Sequence, residues 1–298
     1  MSVHSSAAGA PAEQEVKTLV CKRDMDNALL CYESLFAAVG PKLKLVIHED
    51  GTLDAFDFDA LQQRFPSATL VRRAERESEV LEALARYPHC RAHRSQHPLS
   101  NKLLDIPLLS REPLRYVDSD ILFFRKVNAL FPEGDFPLAM LDDDQGYSAR
   151  LIDITRKHKI PIPSGFNSGL LRLDLADYDL DRIEWFLGKP ELLRIPAMAE
   201  QTCYAMLTAE KGLRQFSPAQ FFCKKYRPLE ITTRTVAAHF IYHLKGLIRK
   251  YHPTAMESLR ESPVTELQLQ SPRPLTLLTI VKRRLLRRFV HLGYEPPG

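Results

Sequence analysis

Short apolar runs alternate with amphipathic segments along the first part of the chain, and this alternation restricts the fold more than any other feature. Strands are predicted at residues 17–21, 43–47, 68–71 and 114–124, which are apolar and rich in β-branched or aromatic residues. Helices are predicted at residues 27–39, 58–65, 75–86 and 100–109. Strands that alternate with helices form βαβ units, so we expect an α/β fold with a mostly parallel sheet.

The fourth predicted strand carries two carboxylates one residue apart, Asp118 and Asp120. On an extended chain the side chains of residues i and i+2 point to the same side, so both carboxylates can converge on one point. Two like charges at the end of a buried strand are costly unless a cation or a proton compensates them. Oxygen ligands of this kind suit Mg²⁺ or Mn²⁺. For an isolated D-x-D, a strand end whose acids face water is the alternative.

The composition excludes several classes of protein. The formal net charge is +4, but residues 273–298 hold six Lys/Arg and one acid, which leaves 35 basic and 36 acidic residues elsewhere. A basic body that binds nucleic acid is therefore not expected. The chain has only 12 glycines and contains neither G-x-G-x-x-G nor a P-loop, which argues against a dinucleotide dehydrogenase or a P-loop NTPase.

Cysteine usage and the two ends of the chain give the expected compartment and domain limits. The five cysteines are scattered, without a C-x-x-C pair, so we expect free thiols in the cytoplasm. We expect residues 1–15 to be disordered and residues 16–262 to form one catalytic domain. Residues 263–298 are predicted to include a basic amphipathic helix. This helix would either lie on the inner face of a membrane or pack onto the catalytic domain.

A series of motifs in a fixed order indicates a family. Lys102-Leu103 is followed by Y-V-D-S-D-I-L at 116–122, A-M-L-D at 139–142 and F-N-S-G-L-L at 166–171, then by Glu200-Gln201 and by H-F-I at 239–241 with Lys245. In this order the motifs resemble glycosyltransferase family 8, the group that contains glycogenin and the bacterial lipopolysaccharide glucosyl- and galactosyltransferases. The resemblance extends over roughly residues 17–250.

The resemblance implies a GT-A fold, a single α/β domain for nucleotide-diphosphosugars, and a metal-dependent retaining hexosyltransferase. The donor would be a UDP-sugar and the acceptor a glycan or a lipid-linked sugar. Asp118, Asp120 and His239 would bind Mn²⁺ (or Mg²⁺), with His243 as the rival ligand to His239. The family's H-F-x-G-x-x-K pattern has Tyr242 here in place of its glycine.

The resemblance also implies roles for the other motif residues. Gln201, Glu200 and Asn167 would be catalytic, and substrate would be bound by Lys102, Ser119, Asp142, Ser168, Gly169 and Lys245. Glutamine is a poor nucleophile, so front-face displacement is expected rather than a covalent intermediate. Without the family, Lys102 would be interpreted as a solvated helix residue and Asn167 and Gly169 as a turn that enters a strand.

Two alternative functions and one further cluster stay open. A haloacid-dehalogenase-like phosphatase also uses D-x-D at a strand end, with Asp118 as the nucleophile. A catalytically weak protein that binds nucleotide-sugars is compatible with Tyr242 and Glu200. His89, Cys90, His93 and His97 could be taken for a zinc site, but their spacing fits no finger pattern, and a solvated loop is predicted.

Overall fold

The computed structural model describes residues 13–142, 146–223 and 231–275. Its strands are β1 Gln14–Val20, β2 Leu43–Glu49, β3 Thr69–Val71, β4 Leu114–Val117, β5 Ile121–Phe123, β6 Leu138–Met140, β7 Pro163–Ser164, β8 Asn167–Leu173, β9 Arg214–Phe216, β10 Phe221–Cys223, β11 Ala237–His239, β12 Leu269–Gln270 and β13 Arg273–Pro274. Its α-helices are α1 Met25–Val39, α2 Ala55–Arg64, α3 Arg73–Ala83, α4 Pro88–Gln96, α5 Ser100–Leu103, α6 Asp105–Leu108, α7 Leu180–Leu187, α8 Ala199–Thr208 and α9 Ile248–Glu261. No helix in these ranges is long and apolar enough to span a bilayer.

Eight strands form the central sheet, in the order β12-β9-β6-β8-β4-β1-β2-β3. The pairs β1–β2, β2–β3, β1–β4 and β6–β9 are parallel, whereas β8 runs antiparallel to both β4 and β6. The predicted α/β class with a mostly parallel sheet is therefore confirmed.

The core lies on both faces of this sheet, as in other α/β folds with helices on either side. On one face, Val16 and Ile47 pack with Tyr32 and Leu35 of α1. On the other face, Tyr116 and Leu171 belong to the cluster that contains α7, α8 and the end of α3. Residues that follow the carboxyl ends of β1, β2 and β4 thus share one edge of the sheet, where ligands of such folds bind.

A second, three-stranded sheet has the order β10-β11-β5. His239 of β11 lies opposite Ile121 of β5 and next to Cys223 of β10. Through this small sheet, strand β11 lies beside the turn that follows β4.

The helix predicted at 100–109 is instead two single turns, α5 and α6. Pro107 has no N–H for the carbonyl of Leu103, and that oxygen accepts a hydrogen bond from the Tyr178 hydroxyl at 2.8 Å. Ser100 does not cap the first turn; its hydroxyl donates to the carbonyl of His97 at 2.5 Å.

The described fold also extends past the predicted domain limits. Strand β1 begins at Gln14, β12 pairs with β9 of the central sheet, and β13 pairs with β7, so strands on both sides of residues 16–262 pair with strands or belong to sheets of the same fold. Residues 1–12 and 276–298 lie outside the described residues, and with them most of the predicted disordered segment and the predicted amphipathic helix.

Candidate active site

Asp118 and Asp120 lie in a tight turn between β4 and β5 rather than within one strand. The Ile121 amide donates to the Asp118 carbonyl at 3.4 Å. The Asp118 amide donates to Gly169 of β8, and the Asp120 carbonyl accepts from Phe240 after β11, which holds the turn against both sheets. The carboxylates do converge as predicted, but the turn brings them together, not the alternation of side chains along a strand.

His239 completes a group of three possible metal ligands. Its Nε2 lies 2.9 Å from Asp120 Oδ1 and 3.5 Å from Asp118 Oδ2. One donor atom of each residue lies within 4.8 Å of the others, and no second group of three or more such ligands occurs among residues 13–142, 146–223 and 231–275. The rival ligand, His243, is exposed and outside this group.

Asn167 and Gly169 position the His239 ring. The Asn167 side-chain oxygen accepts from the Gly169 amide at 2.8 Å and lies 3.2 Å from His239 Nδ1. Because that oxygen can only accept, Nδ1 directs an N–H at it, which leaves Nε2 facing the two carboxylates. A Cβ at Gly169 would lie 2.6 Å from the ring, so only glycine leaves room for it.

This donor set fits a divalent cation. With a neutral imidazole, Nε2 and the two carboxylates would present lone pairs to the same point, and these repel one another unless a cation or a proton lies between them. Burial would lower the pKa of His239, but Asp120 and Asp118 outweigh it and raise the pKa, so a proton fills this place when no metal ion does. The ion-paired cluster formed by Asp24, Asp118, Asp120 and Glu200 with Arg23, Lys102 and Lys245 has one more negative than positive charge when these groups are ionised. Burial alone would raise the pKa of Asp120, but His239 and Lys245 outweigh it and hold the pKa below its usual value.

Lys102 is buried at the centre of a polar network, not solvated. Its Nζ lies 3.0 Å from Asp118 Oδ1, 3.1 Å from Ser168 Oγ and 3.4 Å from Glu200 Oε1, and 4.5 Å from the centre of the Tyr116 ring. Burial would lower the pKa of Lys102, yet Asp118 and Glu200 outweigh it and raise the pKa. The ammonium therefore stays charged and links the D-x-D turn to helix α8.

Lys245 stands on the other side of the D-x-D turn. Its Nζ lies 3.0 Å from Asp120 Oδ2 and 2.7 Å from Asp24 Oδ2. Asp24 follows β1 and Lys245 precedes α9, so this ion pair connects the beginning of the fold with one of its last helices. The sequence offered no signal for Asp24 in this role, because 221 residues separate it from Lys245.

Helix α8 presents Glu200 and Gln201 to the same region. Ser168 donates its hydroxyl to Glu200 Oε2 at 3.2 Å, and its amide donates to Gln201 Oε1 at 3.4 Å. Burial raises the pKa of Glu200, although Lys102 opposes the shift. The Gln201 amide group donates to the carbonyl of Gly146 at 2.6 Å, and a Cβ at Gly146 would lie 3.6 Å from Asp142 Oδ2. Asp142 thus lies on this side of the site.

The remaining site residues flank the turn. Ser119 is half-buried in the turn itself. Tyr242, which replaces the family's glycine, has a φ of 51° and is 54% exposed. The chain therefore keeps a left-handed backbone here, the conformation for which glycine is favoured.

The cluster of His89, Cys90, His93 and His97 belongs mainly to helix α4, so the predicted loop was wrong. Cys90 and His93 face the core, and the His93 and His97 rings lie 4.6 Å apart. None of these residues joins a metal-ligand group among those described.

Comparison with solved structures places this geometry on a known fold. The galactosyltransferase LgtC, solved in complex with donor and acceptor sugar analogs, matches with a TM-score of 0.50 and 13% identity over 84% of this chain and 98% of that chain. The bifunctional glycosyltransferase WbbM, in its apo form, matches with a TM-score of 0.55 and 12% identity over 85% of this chain and 50% of that chain.

No family model matches the sequence, and the search of curated proteins found no match. At 12–13% identity the structural likeness concerns the fold alone. The chain therefore has an α/β fold of the GT-A type, as its motif order predicted.

Proposed function

We propose that this protein is a metal-dependent retaining glycosyltransferase of family 8 that transfers a hexose from a UDP-sugar to a glycan or lipid-linked acceptor. The observation that carries the proposal is the convergence of Asp118, Asp120 and His239 at the carboxyl end of β4, with Lys102 and Lys245 beside them, in a GT-A fold. The LgtC structure, which has the same type of fold, contains donor and acceptor sugar analogs.

In this proposal the three ligands hold Mn²⁺ or Mg²⁺, which would neutralise charge on the departing diphosphate when bound. Lys245 and Lys102 supply two further positive charges at the same place, already oriented by Asp24, Asp120, Asp118 and Glu200. Ser119, Ser168, Gly169 and Asp142 contribute to the donor site. Asn167 acts through His239, whose ring it orients.

Retention is assigned to front-face displacement. Gln201 is engaged at both ends of its amide, and its oxygen is a weak nucleophile. Glu200 is held by Lys102 and Ser168. Both side chains then bind and orient the hexose, and the leaving diphosphate accepts the proton of the acceptor hydroxyl.

We also propose a cytoplasmic enzyme whose catalytic unit comprises residues 16–262 together with strands β12 and β13. The basic segment at residues 276–298, outside the described residues, is proposed to contact the inner face of a membrane.

The test is release of UDP from a panel of UDP-hexoses, with and without Mn²⁺, by the full-length protein. We expect Mn²⁺-dependent release that falls by about 100-fold in Asp120→Asn, since one charged ligand is lost. Asp26→Asn is the matched control, because Asp26 is 82% exposed and pairs only with exposed Arg249 among the described ion pairs.

Two outcomes would contradict the proposal. Binding of UDP-sugar without turnover for any acceptor would identify a nucleotide-sugar-binding protein. A trapped phosphoaspartate at Asp118 would identify a phosphatase, an alternative that the GT-A fold leaves without support.

A further inference from the structure

Three of the large apolar side chains exposed in the described structure come from two neighbouring segments of the chain. Ile152 is 47% exposed, Trp185 is 42% exposed and Ile195 is 53% exposed. They belong to residues 150–159 and 185–195, which contact each other directly. The His158 and Trp185 rings lie 6.1 Å apart, and Glu191 pairs with both Lys157 and His158. We name the surface formed by these two segments the Trp185 face.

The Trp185 face is strongly basic. Its two segments contain six Lys/Arg, namely Arg150, Arg156, Lys157, Lys159, Lys189 and Arg194, against two acids, Asp153 and Glu191. The formal charge is therefore +4, although residues 1–272 together carry −1. Arg156, Lys159 and Arg194 are exposed. A local excess of positive charge thus accompanies the exposed tryptophan and isoleucines.

Charge decides which occupant fits this face. A second copy of the same face would bring like charges together, and the basic residues 276–298 would be repelled in the same way. An anionic partner is required. A soluble polyanion would use the arginines but not the apolar side chains, whereas an anionic membrane surface uses both. Tryptophan is also the side chain that favours the boundary between headgroups and acyl chains.

The Trp185 face is connected to the candidate active site through Ser148. The Ser148 hydroxyl donates to the Leu192 carbonyl at 2.6 Å, its carbonyl accepts from the Ile195 amide at 2.8 Å, and its amide donates to Thr202 Oγ1 at 2.9 Å. Thr202 follows Gln201 in helix α8.

We propose that the Trp185 face binds a membrane surface that carries anionic headgroups. This contact is separate from the one assigned to residues 276–298. It would hold the Gln201 side of the site at the bilayer, where a lipid-linked acceptor is found, and only this last step depends on the proposed function.

The chain offers a direct probe, because Trp185 is its only tryptophan. Fluorescence of the full-length protein is recorded with vesicles of phosphatidylcholine alone and of phosphatidylcholine mixed equally with phosphatidylglycerol. We expect a blue shift and quenching by brominated lipid with the anionic vesicles only. Sedimentation with vesicles while the Trp185 emission stays unchanged would overturn the proposal, since another part of the chain would then be the contact.

Two full-length variants test the charge and the apolar contributions. Arg156→Glu/Lys159→Glu/Arg194→Glu should weaken partition into anionic vesicles by more than about 100-fold, because each basic residue near such a surface contributes about fivefold and the three added glutamates are repelled as well. Ile152→Ser/Ile195→Ser should weaken it by about tenfold. Partition equal to that of the wild type in both variants would overturn the proposal.

Matched controls come from other surfaces. Lys44→Glu/Arg111→Glu/Lys250→Glu makes the same change in net charge at exposed sites, and Phe56→Ser removes a side chain that is 83% exposed. Both should partition like the wild type. Binding to heparin that exceeds binding to anionic vesicles would point to a soluble polyanion and overturn the membrane assignment. None of these measurements needs turnover, so they succeed or fail independently of sugar transfer.

Discussion

Tyr242 shows how a single residue can depart from a motif while the backbone keeps the motif's shape. Its φ of 51° lies in the left-handed region, where a residue with a Cβ is strained. It lies between His239, a possible metal ligand, and Lys245, which pairs with Asp120. Strained residues persist where the surrounding structure holds them, and they cluster at functional sites.

Because of this strain, glycine should be more stabilising than alanine at position 242, the reverse of the usual order. Tyr242→Gly should be more stable than Tyr242→Ala by about 1 kcal/mol in urea unfolding, because only glycine adopts this φ without cost. At the neighbouring exposed position, His243→Ala should be more stable than His243→Gly, as in ordinary backbone. Alanine more stable than glycine at both positions would show that Tyr242 is not strained.

At the scale of elements, strand β8 controls the site through its first residues. Asn167, Ser168 and Gly169 contact His239, Lys102 and the Asp118 amide, respectively. The strand is central in the sheet and fully buried, so its backbone cannot move aside.

Gly169→Ala is therefore expected to disturb the metal site without removing a ligand. The new methyl group would lie 2.6 Å from the His239 ring and displace it. Loss of such supporting geometry typically costs about 10- to 100-fold in metal affinity, which Mn²⁺ titration followed by electron paramagnetic resonance measures directly. Gly246→Ala is the control, since a Cβ there meets nothing within 4 Å. Equal Mn²⁺ affinity in both variants would contradict this account.

Elements whose signals are local could be predicted from the sequence, and those that depend on distant residues could not. Helix α2 lies close to its predicted place, and Asp54 caps it locally. Helix α4 was missed because its first amides, those of His89 and Cys90, are capped by Glu184 of α7. The motif order indicated the GT-A fold and grouped Asp118, Asp120 and His239. The turn between β4 and β5 depends on hydrogen bonds to Gly169 and Phe240, which no local pattern reveals.

At the scale of the whole molecule, two buried histidines couple stability to pH. Burial lowers the pKa of His48 to about 3, and burial with a contribution from His97 lowers the pKa of His93 to about 4. The unfolded chain binds these protons near pH 6.5, before the folded protein does. The free energy of unfolding should therefore fall as the pH decreases below 6.5.

His48→Gln removes one of these two titrating groups, so comparison with the wild type measures the contribution of His48. Between pH 6 and pH 4, the difference in unfolding free energy between wild type and variant should shift by about 1.4 kcal/mol per pH unit, with the wild type losing stability faster on acidification. Urea unfolding at a series of pH values measures this slope. Parallel curves for the two proteins would show that His48 titrates alike in both states.

The three possible metal ligands come from segments that leave the ribosome at different times, since Asp118 and Asp120 follow β4 whereas His239 ends β11. A nascent chain that has not yet emerged beyond β11 holds two carboxylates with no imidazole opposite them. Capture of the ion then requires that the small β10-β11-β5 sheet has already assembled. Tight Mn²⁺ binding by this protein would consequently require a nearly complete fold, and early folding intermediates would not bind Mn²⁺ tightly.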